Sequence, residues 1–363
     1  MHMRHLLVVV AVVAGLSACA LSVEVPRMEV VELSERAIVV RLADAPSPNQ
    51  TLAVATSSGI IVVDSQPTPT LAQECRRLIV EHFGRDDFTH LILTHDDLDH
   101  ICGTAAFPDV AIVAQQACYT VIRDILRNVP AAAANLIPWY ANTIAAHKAE
   151  LAALDATSGA ADALRAEIAG YEVMLADLRA GVWAPRLPTQ TFTEMWTLDA
   201  GDTTVTCWFL GPGHSQSDIL VHFEAEGILA VGDAISKHYL CVGVDPELAR
   251  SIDVEHWCRA LDQVLEKDFD QVVWGHRGFL SRDDVANRAG YISALWESIL
   301  DLKADGVSLA DAHSSLAVAG LFPNFPLLLS EMAVLLGATE EAVAVEAERQ
   351  HAANIDLFWS VAP

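Results

Sequence analysis

From His95 to His100 the chain reads His-Asp-Asp-Leu-Asp-His, placing two imidazoles and three carboxylates within six positions. Neutral imidazole and carboxylate are the donors that zinc, iron and manganese accept. Three later segments carry the same donor types beside glycine: Gly211-Pro212-Gly213-His214-Ser215, Gly232-Asp233 and Gly275-His276. Glycine at these places lets the backbone turn and approach a neighbouring group closely. Either His214 or His276 alone reads as an ordinary loop histidine, and residues 94 to 100 alone as a solvated acidic turn. Together the four segments make a coordination set.

Such a set needs elements that deliver it to one point, and each segment follows an apolar stretch with strand character. Leu91-Ile92-Leu93 runs into Thr94 and the first cluster. Stretches 203 to 210, 228 to 231 and 271 to 274 run into the other three. Upstream, Ala37 to Leu42, Thr51 to Ala55 and Gly59 to Asp64 are short, β-branched and separated by Pro, Ser, Asn and Gly, which predicts a strand meander. Leu71, Cys75, Leu78 and Ile79 give residues 70 to 83 helical spacing, so a strand, helix, strand unit carries the first cluster. A further strand is expected at Ile219 to Phe223 and a helix at 254 to 266. Residues 115 to 185 turn alanine-rich with helical spacing and read as an inserted hairpin, for which scaffold and lid are equally open roles. Residues 284 to 350 are mostly helical, and no internal repeat appears.

The order of these motifs resembles that of the metallo-β-lactamase superfamily over roughly residues 30 to 285, apart from the insertion. The resemblance implies an α/β (α+β) fold, a four-layered αβ/βα sandwich of two mixed sheets. Here the domain would span 29–285, with an inserted helical hairpin at 115–185 and a helical C-terminal extension at 286–363. It further implies two divalent metal ions, zinc first among them. His95, Asp97 and His214 would face one, Asp99, His100 and His276 the other, and Asp233 would bridge them. Two metals sharing a water would lower its pKa and stabilise a developing oxyanion. Asp99 is the expected catalytic residue, orienting the hydroxide and passing a proton to the leaving group.

Asp97 departs from the pattern, because the hydrolytic families usually have histidine there. A carboxylate is the harder donor, which favours iron or manganese and weakens the first metal as a Lewis acid. Flavodiiron proteins resemble this chain in having a carboxylate at that place, but no flavodoxin-like segment is present and His100 keeps the hydrolase pattern. Asp233 is shared with glyoxalase II-like thioesterases and lactonases rather than with class B β-lactamases. The glutathione-binding pattern of glyoxalase II is not recognisable in the C-terminal helices. The expected activity is therefore hydrolysis of an ester, thioester or lactone in a small-molecule substrate. An iron-binding redox protein and a non-catalytic metal-binding lipoprotein are the alternatives.

Asp64 closes the apolar run Ile60 to Val63 and resembles the family aspartate that supports the first motif by hydrogen bonding. Lys237, His238 and Tyr239 follow Asp233 closely and are candidates for a substrate carboxylate or oxyanion, with a packed or surface loop as the alternative. Cys102 reads as packing. His90, His222, His256 and His313 lack ligand-rich neighbours and read as structural.

At 363 residues and 52% hydrophobic content the chain can bury a large core. Residues 1 to 18 read as an export signal with Arg4 at its start and an apolar run from Leu6 to Leu16. Leu16-Ser17-Ala18-Cys19 resembles a bacterial lipobox, so lipidation at Cys19 and a tether over 19–28 are expected, at the periplasmic face of the outer membrane. Loss of Arg4 with the signal moves the net charge from −26 to −27. A surface so acidic repels polyanions, and without a Lys/Arg cluster a nucleic-acid partner is not expected. Six further cysteines, Cys75, Cys102, Cys118, Cys207, Cys241 and Cys258, form no close Cys-x-x-Cys pair, and their pairing stays unassigned.

Overall fold

The computed structural model describes residues 24–236, 251–322, 325, 329–330, 333 and 339–363. The export signal, Cys19, Cys241 and the trio Lys237, His238 and Tyr239 lie outside these described residues.

Seven strands form the first sheet in sequence order: β1 (Met28–Ser34), β2 (Ala37–Leu42), β3 (Gln50–Thr56), β4 (Gly59–Val63), β5 (Phe88–Ile92), β6 (Ala111–Gln115) and β7 (Gln190–Phe192). β1 to β4 pair antiparallel, and β4 to β7 pair parallel. The second sheet has the order β13-β12-β11-β10-β9-β8. Its strands are β8 (Met195–Asp199), β9 (Thr204–Phe209), β10 (Ile219–Phe223), β11 (Ile228–Ala230), β12 (Gln271–Val273) and β13 (Phe279–Leu280). Among the described residues, β11 and β12 are the one parallel pair of this sheet.

The central strands are buried on both faces, which is why they read as continuous apolar runs. In β4, Ile61 and Val63 enter the core between the sheets, while Ile60 and Val62 turn to the outer helices. From the other sheet Val221, Phe223 and Ala230 meet the same inner core. Outside the first sheet lies helix α1 (Pro69–Phe83). Thr68 caps it, its hydroxyl accepting from Leu71 N, and Gly84 ends it in the left-handed conformation. Ala72, Cys75 and Ile79 of α1 pack on that sheet's outer face. Outside the second sheet, α6 (Val254–Leu265) contributes Trp257, Leu261 and Val264, and α7 (Arg282–Ala304) and the C-terminal helix Glu340–Val361 complete the layer. The result is the expected αβ/βα sandwich with a helical C-terminal extension.

The stretch between the first two ligand segments holds three helices: α3 (Gln116–Arg127), α4 (Val129–Leu151) and α5 (Gly159–Ala180). α4 and α5 make the expected hairpin, and α3 is an additional helix that follows directly from β6. Strands β1, β6, β7, β8 and β13 were not legible in the sequence. β1 and β8 are edge strands whose exposed positions carry Glu, Met and Asp, so the burial signal that marks a strand is diluted. Cys75, Cys102, Cys118 and Cys207 are free, buried thiols, and Cys258 is free and half-buried.

Candidate metal centre

The ligand segments meet at one end of the sandwich. β5 delivers residues 94 to 97. The one-turn helix α2 (Leu98–Ile101) then places Asp99 and His100, with Asp97 at its N-cap position. The β9–β10 connection supplies His214, the residues after β11 supply Asp233, and the β12–β13 connection supplies His276.

Asp97 Oδ2 lies 3.0 Å from His214 Nε2 and 3.7 Å from His95 Nε2. Asp99 Oδ2 lies 3.7 Å from both His100 Nε2 and His276 Nε2. Asp233 stands between the two groups. Its Oδ2 is 2.9 Å from His276 Nε2 and 3.7 Å from His214 Nε2, and its Oδ1 is 3.8 Å from His100 Nε2. The donor atoms of His95, Asp97 and His214 lie within 4.8 Å of one another, as do those of Asp99, His100 and His276. Asp64, His95 and His100 also form such a group, but the Asp64 carboxylate is taken by hydrogen bonds.

The donor set fits metal ions. His95 Nε2 and Asp233 Oδ1 are buried and have no hydrogen-bond partner among the described residues. A buried polar atom without a hydrogen-bond partner is costly, and a cation held by these residues would satisfy both atoms. The tautomers follow from the outer partners. His100 Nδ1 lies 3.0 Å from Asp64 Oδ2, and His276 Nδ1 lies 3.2 Å from the Ser47 carbonyl. Neutral rings that donate through Nδ1 turn the Nε2 lone pair inward, as metal-binding histidines commonly do. Asp64 also accepts from Thr94 N and Thr94 Oγ1, both at 2.8 Å, and holds φ at +60° to do so.

The chain matches the family model described as the metallo-beta-lactamase superfamily over residues 44–276. It belongs to that superfamily. Among solved structures, a stereoselective inverting sec-alkylsulfatase from Pseudomonas sp. is similar at 15% identity and a TM-score of 0.52. The match covers 79% of this chain and 45% of that one, so this chain spans less than half of the sulfatase's length. Metallo-beta-lactamases from Pontibacter korlensis and Hirschia baltica match at 15% identity with TM-scores of 0.48 and 0.47. These matches cover 74% of this chain and 99% and 98% of theirs, respectively. No curated protein matches the chain. Membership and the His/Asp groups together support a metallo-hydrolase-type fold suited to divalent metal ions.

Electrostatics at this superfamily site are those of a centre prepared for cations. Burial opposes ionisation of Asp97, but His214 and His95 outweigh it and hold the carboxyl well below its ordinary range. Burial likewise works against the Asp233 carboxylate, and His276 and His100 hold its pKa low. Burial disfavours charge on His214 too, yet Asp97 and Asp233 push its pKa up to about 9. His276 and His100 are raised against the same burial by the surrounding aspartates. In the metal-free site these shifts favour the protonated forms of His100, His214 and His276, and a metal ion would displace those protons.

Glycine is required at Gly275, where a Cβ would stand 2.1 Å from Asp233 Oδ1 and 2.9 Å from the His100 ring. Several supporting residues were missed in the sequence. Asn49 Nδ2 donates to Asp99 Oδ2 at 2.7 Å and sits 3.2 Å from His100 Nε2. Nothing in its own neighbourhood signals this, because it arrives from a loop fifty positions upstream. Asp218 accepts from Ser215 N and Oγ and so folds the loop behind His214. That partnership was legible in principle from the Ser-x-x-Asp spacing. Ser217 Oγ donates to Asp96 at 2.5 Å, tying the His214 loop to the first cluster, so Asp96 points away from the metal hollow.

Proposed function

We propose that the chain is a dinuclear metal-dependent hydrolase acting on an ester, thioester or lactone of a small molecule. The observation that carries this reading is the position of Asp233 between two His/Asp groups, with its Oδ1 3.8 Å from His100 Nε2 and without a hydrogen-bond partner among the described residues. His95, Asp97 and His214 would hold one ion and Asp99, His100 and His276 the other, with Asp233 shared. Bound divalent ions supply positive charge that lowers the pKa of water and polarises a carbonyl oxygen.

The protein's own part is positioning and proton handling. Asn49 fixes one oxygen of Asp99 at 2.7 Å and thereby orients the carboxylate. Asp99 also lines a cleft of about 250 Å³ that includes His276, so its carboxylate faces both the centre and the space a substrate can enter. In the reaction the oxygen of water bonds to the acyl carbon and the C–O or C–S bond breaks. Asp99 passes one proton of the water to the departing alkoxide or thiolate, and the acyl part is released as a carboxylic acid that gives the other proton to solvent as it ionises.

The test is elemental analysis of the purified protein, followed by turnover of lactone, thioester, carboxylate ester, phosphodiester and secondary alkyl sulfate panels. Two equivalents of zinc, with acyl substrates hydrolysed and at least about 100-fold lower turnover in Asp233→Asn, support the reading. Two equivalents of iron with redox activity and no hydrolysis, or no bound metal in replete medium, overturn it.

A further inference from the structure

The cleft beside Asp99 and His276 has its far wall built by the α4–α5 hairpin. Trp139 and Tyr140 of α4 and Glu167 and Tyr171 of α5 line it. The three aromatic rings stand close and steeply inclined. The ring centroids of Trp139 and Tyr140 are 4.7 Å apart at 88°, those of Tyr140 and Tyr171 5.8 Å at 50°, and those of Trp139 and Tyr171 6.4 Å at 88°. Trp139 is 54% exposed. An indole half open to solvent beside aromatic neighbours in a cleft leaves apolar, electron-rich surface available to a ligand.

The charge on this wall has one sign. Among the described residues the cleft is lined by no lysine or arginine. Two hairpin cations are engaged away from the cleft, Lys148 with Glu172 and Arg165 with Asp162, each at 2.6 Å. Glu167 is half-buried and accepts a 3.4 Å hydrogen bond from the Tyr171 hydroxyl. A carboxylate beside electron-rich ring faces attracts an organic cation and repels an anion. Metal ions bound at the centre would balance Asp97, Asp99 and Asp233, but they would leave the charge of Glu167 in place.

From this we infer that the cleft is a recognition subsite for an ammonium group carried on an apolar chain. The ammonium would lie against Trp139, Tyr171 and Glu167, with the scissile carbonyl at the Asp99 and His276 end. The placement of the carbonyl rests on the hydrolase reading; the ammonium preference does not. The hairpin thus acts as a specificity wall as well as packing against the sheet.

Calorimetric titration of the purified full chain with hexyltrimethylammonium, hexanol and sodium hexanesulfonate tests the inference without requiring turnover. The expected result is binding of the ammonium at least about tenfold tighter than either other probe, with Trp139→Ala and Glu167→Gln each lowering its affinity about tenfold. Circular dichroism and metal content unchanged in both variants would show that the fold is intact, and Tyr171→Phe provides a third variant of nearly conserved shape. Equal or tighter binding of hexanol or the sulfonate overturns the subsite, as does ammonium binding indifferent to all three substitutions. Ammonium selection by a protein that hydrolyses no ester, thioester or lactone keeps the subsite and overturns the hydrolase. Ester turnover with no ammonium preference does the reverse.

Discussion

Asp64 shows how much of the centre depends on a residue that need not touch a metal. Its carboxylate holds His100 Nδ1 and the backbone and side chain of Thr94, and its backbone occupies the left-handed region where a non-glycine residue is strained by about 1 kcal/mol or more. Asp64→Ala should lower zinc affinity by about 10- to 100-fold in a chelator competition, and Asp64→Asn should lower it less because it keeps an acceptor for His100. The histidines give a pH prediction with a definite sign. His214 is raised from 6.5 to about 9, so its contribution to the metal-free fold is fully present below about pH 6.5 and lost as pH climbs through about 9. The metal-free melting temperature should therefore fall over that window, while zinc affinity rises as fewer protons must be displaced. At the acid end, Asp97 and Asp233 are held low, so their contribution is present above about pH 4 and lost as pH falls further. Melting curves across pH with and without zinc check both limbs.

The site is assembled by strand ends whose loops are shaped by small residues and one helix. Trp257 of α6 donates its Nε1–H to the Pro212 carbonyl at 3.0 Å and packs where a Cβ at Gly213 would stand 2.1 Å from the ring. Helix α6 thereby supports the loop that presents His214. After β12, Gly275 lies against Asp233 and His100. Gly275→Ala should reduce bound zinc below one equivalent while far-UV circular dichroism stays near native, because the intruding methyl meets the donor atoms rather than the sheet. Full metal content in that variant would refute the packing argument. Elements buried on both faces, such as β4 and β10, were legible from their apolar runs. Edge strands such as β8 were not, since half of their residues face water and the pairing that defines them lies in another part of the chain.

The whole molecule carries a net charge of −26, and its described apolar core lies in layers, one between the two sheets and one between each sheet and its helices. Self-repulsion of that charge opposes compaction and is screened by salt. Raising sodium chloride from about 10 mM to about 150 mM should raise the melting temperature of the metal-free protein, and a flat or falling response would count against this. The inner core sets the separation of the sheets and hence the spacing of the strand ends. Ile61→Ala removes a fully buried side chain from it and should cost about 2 to 5 kcal/mol in a denaturant titration, with weaker zinc binding alongside.

The donor types, their order and their place at the ends of apolar strands were written in local sequence, because ligand chemistry and strand burial both leave short-range marks. That much sufficed for the family and for the layered fold. What only tertiary structure decided is which groups face the hollow and what surrounds it. Asp97 and Asp96 are neighbours in sequence, yet one meets His214 and the other Ser217. Asn49 reaches Asp99, and the hairpin aromatics line the same cleft as His276, across separations that no local pattern records. Those contacts come from packing two sheets and their helices against one another, a long-range balance of burial that fixes side-chain directions only once the chain has closed on itself.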